Sequence, residues 1–175
     1  DPESGQQSRD GKPNGFYYSE RRTVDSKRNV IVNVHVEAAN INDVTPMPEI
    51  LDEIEARLGT LPKYMGLDAG YHNAWIAHLL ETKGIQGVIG YRRHTHKGAH
   101  YGKYRFRYDP VRDEYICPEK QRLTWKTTTR EGYRQYCCEG KTCKGCPRRG
   151  ECFGASMSRK VVERHVWQDA LERVD

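Results

Sequence analysis

Three groups of side chains in this sequence have types and spacing suited to chemistry. The first is a lone acid. Tyr64-Met65-Gly66-Leu67-Asp68-Ala69-Gly70-Tyr71 reads as a short apolar strand ending on Asp68, then a small-residue turn, then the apolar-periodic run Trp75, Ile76, Leu79 and Leu80 of a helix. In open α/β sheets the carboxyl end of a strand is where ligands and metal ions collect, because backbone polar groups converge there. A plain helix cap is the competing role for Asp68, and this stretch alone leaves both open. Gly70 points to a tight turn in which a Cβ is awkward.

The second group is the cysteines. All six fall between Cys117 and Cys152, a clustering that points to a local metal site in a reducing compartment and away from a secreted disulfide framework. Cys143-x2-Cys146 lets two thiolates reach one tetrahedral ion from a single turn, and Cys117 and Cys152 complete a four-thiolate shell. Cys137 and Cys138 are adjacent and cannot easily share one shell, so one of them is a candidate substitute ligand. The segment has few aliphatic residues, and structural zinc gives it a reason to be ordered. Four thiolates also suit an iron-sulfur cluster, and simple free thiols are the reading without metal.

The third group is cationic. Arg92, Arg93 and Lys97 precede Tyr101-Gly102-Lys103-Tyr104-Arg105-Phe106-Arg107-Tyr108, where cations alternate with aromatics. Residues 86 to 152 hold 16 Lys and Arg against 7 Asp and Glu, while the remainder of the chain holds 13 against 17. The positive charge is therefore concentrated in one segment. Period-two alternation puts aromatics on one strand face and cations on the other, a platform for a phosphate backbone; a solvated basic hairpin is the bland alternative.

The elements that must position these groups follow in order. Phe16 to Val24 reads as a strand, Asp25-Ser26-Lys27-Arg28-Asn29 as a turn, and Val30 to Glu37 as a second strand, with Val30, Val32, Val34 and Val36 on one face and Ile31, Asn33, His35 and Glu37 on the other. Pro46 and Pro48 open a helix whose apolar stripe is Met47, Ile50, Leu51, Ile54 and Leu58, with Glu49, Asp52, Glu53 and Glu55 toward water and Gly59 as its stop. The Asp68 strand, a helix over residues 72 to 83 and a short strand from Ile85 to Tyr91 complete a β-β-α-β-α-β order. This is the pattern of a mixed α/β sheet with helices on its faces. Residues 109 to 153 read as an inserted cysteine-rich subdomain, and Lys160 to Val174 as an amphipathic helix. At 175 residues the chain suits one domain with a real core; it contains no membrane-length apolar run, and its N-terminus lacks the features of a secretory signal.

Phe16-Tyr17-Tyr18, Thr23-Val24-Asp25, the Val30 to Val36 strand, Asn40-x-Asn42-Asp43, Gly66 to Tyr71, Gly87-Val88-Ile89 and the Cys-Pro and Cys-x2-Cys-Pro elements together resemble the DDE transposases of bacterial insertion sequences. More narrowly, they resemble the subgroup with a cysteine-rich insertion before the last catalytic helix. The resemblance implies an RNase H-like fold in which three carboxylates hold two divalent ions, Mg²⁺ or Mn²⁺, for phosphodiester cleavage and strand transfer. It also implies DNA as partner, a homo-oligomer in the intact enzyme, and a cytoplasmic, nucleoid-associated location without a membrane.

On that resemblance Asp68 matches the second acid. Glu163, in Arg159-x3-Glu163, matches the third, which the family carries on a helix; Ser156 and Ala170 depart from the Tyr and Lys of the family pattern. The first acid is expected on a strand before residue 1. Asp25 reads instead as turn chemistry, and Asp43 as a helix N-cap. The expected organisation is a partial catalytic core over residues 1–108, a zinc-ribbon-like insertion over 109–153 and a helix returning to the core over 154–175. Such a chain is an internal piece or a truncated relic of a transposase, inactive by itself. Two other classes stand beside it: a zinc-containing DNA-binding module without catalysis, and an iron-sulfur-containing nuclease.

Overall fold

Asn29 takes a left-handed φ of 55° and donates its N–H to the Asp25 carbonyl at 2.7 Å, so the turn after β2 (Gly15–Asp25) closes on β3 (Val30–Ala38). The Asp25 carboxylate accepts the Lys27 N–H at 3.1 Å, as expected of turn chemistry. A computed structural model describes residues 2–8, 11, 13–91 and 98–174. The short strand β1 (Gly5–Gln7) pairs antiparallel with the start of β2, making a three-stranded sheet in the order β1-β2-β3.

The alternation along β3 is present, but the polar set is the buried one. Asn33 is 1% exposed and His35 8%, whereas Val36 is 57% exposed. The reason is pairing: Asn33 and His35 both bond to Glu53 across the sheet face, and Arg21 on β2 bridges Glu37 and Asp43. A buried polar group costs little once it is hydrogen-bonded. Two expectations are thereby corrected. Glu53 does not simply face water, and Asp43 is an ion-pair partner, while the neighbouring Asn42 side chain accepts the Val44 N–H at 3.2 Å.

Helix α1 (Met47–Leu58) begins after Pro46 and ends at Gly59, whose φ of 71° a β-carbon would disfavour. Its stripe of Met47, Ile50, Leu51 and Ile54 packs with Met65, Ile76, Leu80, Ile85 and Ile89. The last five come from β4 (Tyr64–Leu67), α2 (Ala74–Thr82) and β5 (Gln86–Ile89) with its lead-in. Burying each large aliphatic side chain contributes roughly 1.5–3 kcal/mol. Asn73 caps α2 by accepting the Ile76 N–H at 2.9 Å, and β4 and β5 pair in parallel. The expected β-β-α-β-α-β order is therefore present, in a mixed α/β architecture.

The chain divides into two units, Asp1–Arg92 with Ala170–Asp175, and Arg93–Asp169. The second is built on a five-stranded antiparallel sheet, ordered β10-β9-β8-β7-β6. Its strands are β6 (Arg107–Asp109), β7 (Glu114–Ile116), β8 (Arg122–Thr128), β9 (Tyr133–Cys137) and β10 (Val161–His165). Short helices α3 (Gly140–Lys144) and α4 (Arg149–Cys152) carry cysteines. The core is aromatic, with Phe106, Tyr115, Tyr136 and Phe153 around Leu123 and Val162.

The expected helix over 160 to 174 is a strand followed by the short helix α5 (Gln168–Val174). Val161 and Val162 favour extended backbone, all five residues of β10 pair with β9, and Arg164 points inward over the Tyr108 ring at 4.0 Å.

Candidate active site and cysteine centre

Asp68 follows directly on β4 with extended backbone, at the head of a 3₁₀ turn over Ala69–Tyr71. Its Oδ1 accepts the Gly70 N–H at 2.8 Å, so the capping role is real. That bond uses one oxygen; Oδ2 accepts no hydrogen bond among the described residues. Asp68 lines a groove of about 760 Å³. One wall is Arg21 to Asp25 of β2, another is Tyr64 to Leu67 of β4, and Met47, Ile50 and Ile54 of α1 contribute apolar surface. Among the described residues β4 pairs only with β5, and β2 beyond Tyr17 pairs only with β3. Two strands with unpaired edges thus line one groove, whose Arg21, Arg22 and Arg28 are ion-paired with Glu37 and Asp43, with Glu20 and with Asp25 respectively.

The turn carrying Asp68 is set by close packing. A Cβ on Gly90 would lie 2.9 Å from the Ala69 nitrogen and 3.2 Å from the Asp68 carbonyl carbon, and Gly90 N–H donates to Leu67 at 2.9 Å. Backbone cannot yield as a flexible side chain can. Gly90→Ala is expected to cost about 1–3 kcal/mol, typical of overpacking; unchanged thermal stability would mean that the Asp68 turn is not held this way.

In the second unit, Cys117, Cys138, Cys143, Cys146 and Cys152 line one cavity of about 30 Å³ with Phe106, Leu123 and Phe153. All four cysteines chosen from spacing are there. The fifth, Cys138, was ambiguous in sequence: it follows β9 and turns to the cavity, with its sulfur 2.6 Å from that of Cys143, while Cys137 does not line the cavity. After β7, the Gln121 N–H donates to Cys117 Sγ at 3.3 Å, in a tight turn with Lys120 at a φ of 59°. Burial and then the Cys143 hydrogen bond push the Cys138 thiol up to about 12, and burial also raises Cys152. A bound cation would reverse that preference, because coordinated thiols are deprotonated. No three of these sulfurs lie mutually within 4.8 Å, so the ring is wider than a closed four-thiolate shell.

Glu163 lies on β10, exposed, and accepts a 2.8 Å hydrogen bond from Gln135 of β9. It stands on a strand and not on the expected helix. Asp68 and Glu163 belong to different units. Lys103 and Arg105 sit in a 3₁₀ turn, and only Arg107 enters a strand, so the alternating strand expected over 101 to 108 is replaced. Arg105 packs over the rings of Tyr101 and Tyr104 at 5.6 and 5.9 Å. Arg92, Arg93 and Lys97 lie outside the described residues.

An α/β unit with an acid at a strand terminus, joined to a cysteine-bearing β unit, defines a class of architecture. Residues 23–161 match the model of the transposase DDE domain, and the chain belongs to that family. Neither a search of the curated proteins nor one of the solved structures gave a match. No helix among the described residues is long and apolar enough to cross a membrane.

Proposed function

We propose that this chain is the greater part of the catalytic domain of an insertion-sequence transposase, with an RNase H-like core interrupted by a zinc-holding cysteine insertion. The observation that carries the reading is the groove: Asp68 lines it at the end of β4, between two unpaired strand edges. A further strand fits there by edge pairing, and an acid on it would join Asp68 in a carboxylate set. Asp68 Oδ2 and the oxygen-donor chemistry of such a set suit Mg²⁺ or Mn²⁺, as in the family. When bound, the divalent ions activate water and a DNA 3′-hydroxyl. Of the chain's own residues, Gly70 orients the Asp68 carboxylate. Lys103, Arg105 and Arg107, with Arg92, Arg93 and Lys97, hold the DNA backbone, and the active assembly is a homo-oligomer on transposon ends.

Specific support for DNA binding without cleavage comes from the exposed pairing of Arg105 with Tyr101 and Tyr104, which needs no active site. A titration with DNA bearing insertion-sequence ends separates the two readings. By itself the chain is expected to bind without Mg²⁺, with affinity falling steeply as salt rises. Cleavage is expected only from a longer polypeptide that supplies an aspartate-bearing strand to the groove, and only with Mg²⁺ or Mn²⁺. Binding by both polypeptides with cleavage by neither would leave the binding-module reading. An iron-sulfur nuclease would be brown, whereas the zinc protein is colourless.

A further inference from the structure

The buried polar face of β3 meets helix α1 at a group of donors that the transposase reading does not use. Glu49 and Glu53 stand one helical turn apart on α1, and His35 faces them from the strand. One ligand atom from each of the three lies within 4.8 Å of the others, the one such group of His, Cys, Asp and Glu donors among the described residues. None of them lines the Asp68 groove.

His35 places one ring nitrogen among the carboxylates. Its Nδ1 is 3.1 Å from Glu53 Oε1, on the side of the acidic pair, while Nε2 is directed toward Glu37 Oε2 at 3.9 Å. Glu37 is itself held by Arg21. The Nε2–Glu37 separation exceeds a hydrogen bond. A separate observation points to a missing ligand. Asn33 is 1% exposed and its amide nitrogen donates to Glu53 Oε2 at 2.7 Å, yet its Oδ1 is buried with no hydrogen-bond partner. A buried carbonyl oxygen without a donor is costly, and a cation, or a water bound to one, would satisfy it.

We propose that His35, Glu49 and Glu53 form a divalent-cation site, with Asn33 bonded to Glu53 beside it, that clips α1 to the β2-β3 hairpin. One imidazole with two carboxylates suits borderline ions such as Zn²⁺ or Co²⁺ better than Mg²⁺, and thiolate-seeking ions least. The site is structural, and it is independent of both the Asp68 groove and the cysteine cavity.

The test uses the whole reduced chain, first given a single equivalent of zinc, which thiolates take in preference to a nitrogen–oxygen site, then titrated with Co²⁺. A site of nitrogen and oxygen donors adds weak visible ligand-field bands without sulfur-to-cobalt charge transfer. Glu49 is exposed, so Glu49→Gln preserves the fold, checked by circular dichroism. The expected result is one further equivalent of Co²⁺ in the wild type, with affinity at least about 10-fold weaker in Glu49→Gln. Glu55→Gln on the same helix is expected to leave it unchanged. No further equivalent in the folded wild type, or equal affinity in Glu49→Gln, would overturn the proposal.

Discussion

Cys143→Ser and Cys146→Ser are expected to release about one equivalent of zinc per chain and to unfold the cysteine-bearing unit. Structural zinc contributes apparent binding energies of about 10–16 kcal/mol, comparable with or above the whole stability of a small domain. Cys143 is in α3 and Cys146 follows its end, and both line the cavity with Cys117, Cys138 and Cys152. Removing either thiolate leaves the ring short on the helical side. Cys152→Ser is expected to act in the same direction. Cys137→Ser is the control, since Cys137 does not line the cavity. Elemental analysis reads the metal, and the fluorescence of Trp125 on β8 reads the fold of the sheet, although Trp75 and Trp167 must first be replaced by Phe. Full zinc content and unchanged fluorescence in Cys146→Ser would rule out Cys146 as a ligand, the four remaining cavity cysteines sufficing; iron in place of zinc would favour the cluster-bearing nuclease.

Asp68→Asn is expected to abolish metal-dependent DNA cleavage by the polypeptide that cleaves, while leaving its stability within about 0.5 kcal/mol. Asparagine keeps an Oδ1 to accept the Gly70 N–H, so the 3₁₀ turn survives, but the charge that holds a divalent ion is gone. Metal stabilisation of a phosphoryl-transfer transition state is worth several kcal/mol, and each 1.36 kcal/mol is tenfold in rate, so a loss of at least about 10³-fold is expected. Asp25→Asn also changes an acid lining the groove, but this one is occupied in its own turn. It is expected to keep cleavage within a few-fold. Comparable losses in both variants would mean that the groove's overall charge matters, and not Asp68 as a ligand.

The first unit was legible in sequence because its signals are local. Proline before Met47, Gly59 after Leu58 and the apolar spacing of Ile50, Leu51 and Ile54 each state an element and its ends. What the pattern of β3 could not state is which face turns inward. Valine alternation suggests an apolar interior, but Asn33 and His35 are buried because their partner Glu53 comes from elsewhere in the chain. The pairing of Glu49 with Glu53 at helical spacing opposite His35 was the available signal.

The second unit was less legible for a related reason. Its core is built from tyrosines, phenylalanines and cysteines spread over β6 to β10, so no single stretch shows an apolar period. Tyr108 and Tyr136 carry their hydroxyls inward and donate to Asp113 at 2.7 and 2.6 Å, which lets polar aromatics fill an interior. Burial and the Asp113 carboxylate push both phenols upward, so they remain neutral donors at ordinary pH. The segment around Glu163 has helical-looking spacing, yet strand pairing with β9 prevails through Val162 and Arg164. The cysteine spacing, by contrast, named four residues that line one cavity, because a turn brings Cys143 and Cys146 together whatever surrounds them, while Cys138, which lines it too, was named only as one of two substitutes.

The central claim, that Asp68 is a metal-holding acid of a nucleic-acid-cleaving centre, is tested most directly by iron-mediated backbone cutting. Fe²⁺ replaces Mg²⁺ at oxygen-donor sites, and with ascorbate and peroxide it cuts the polypeptide beside the ion. Cuts are expected within residues 66 to 72 of the polypeptide that carries the groove-filling strand, suppressed by excess Mg²⁺ and absent in Asp68→Asn. Cuts there that persist in Asp68→Asn, or none there while DNA cleavage proceeds, would contradict it.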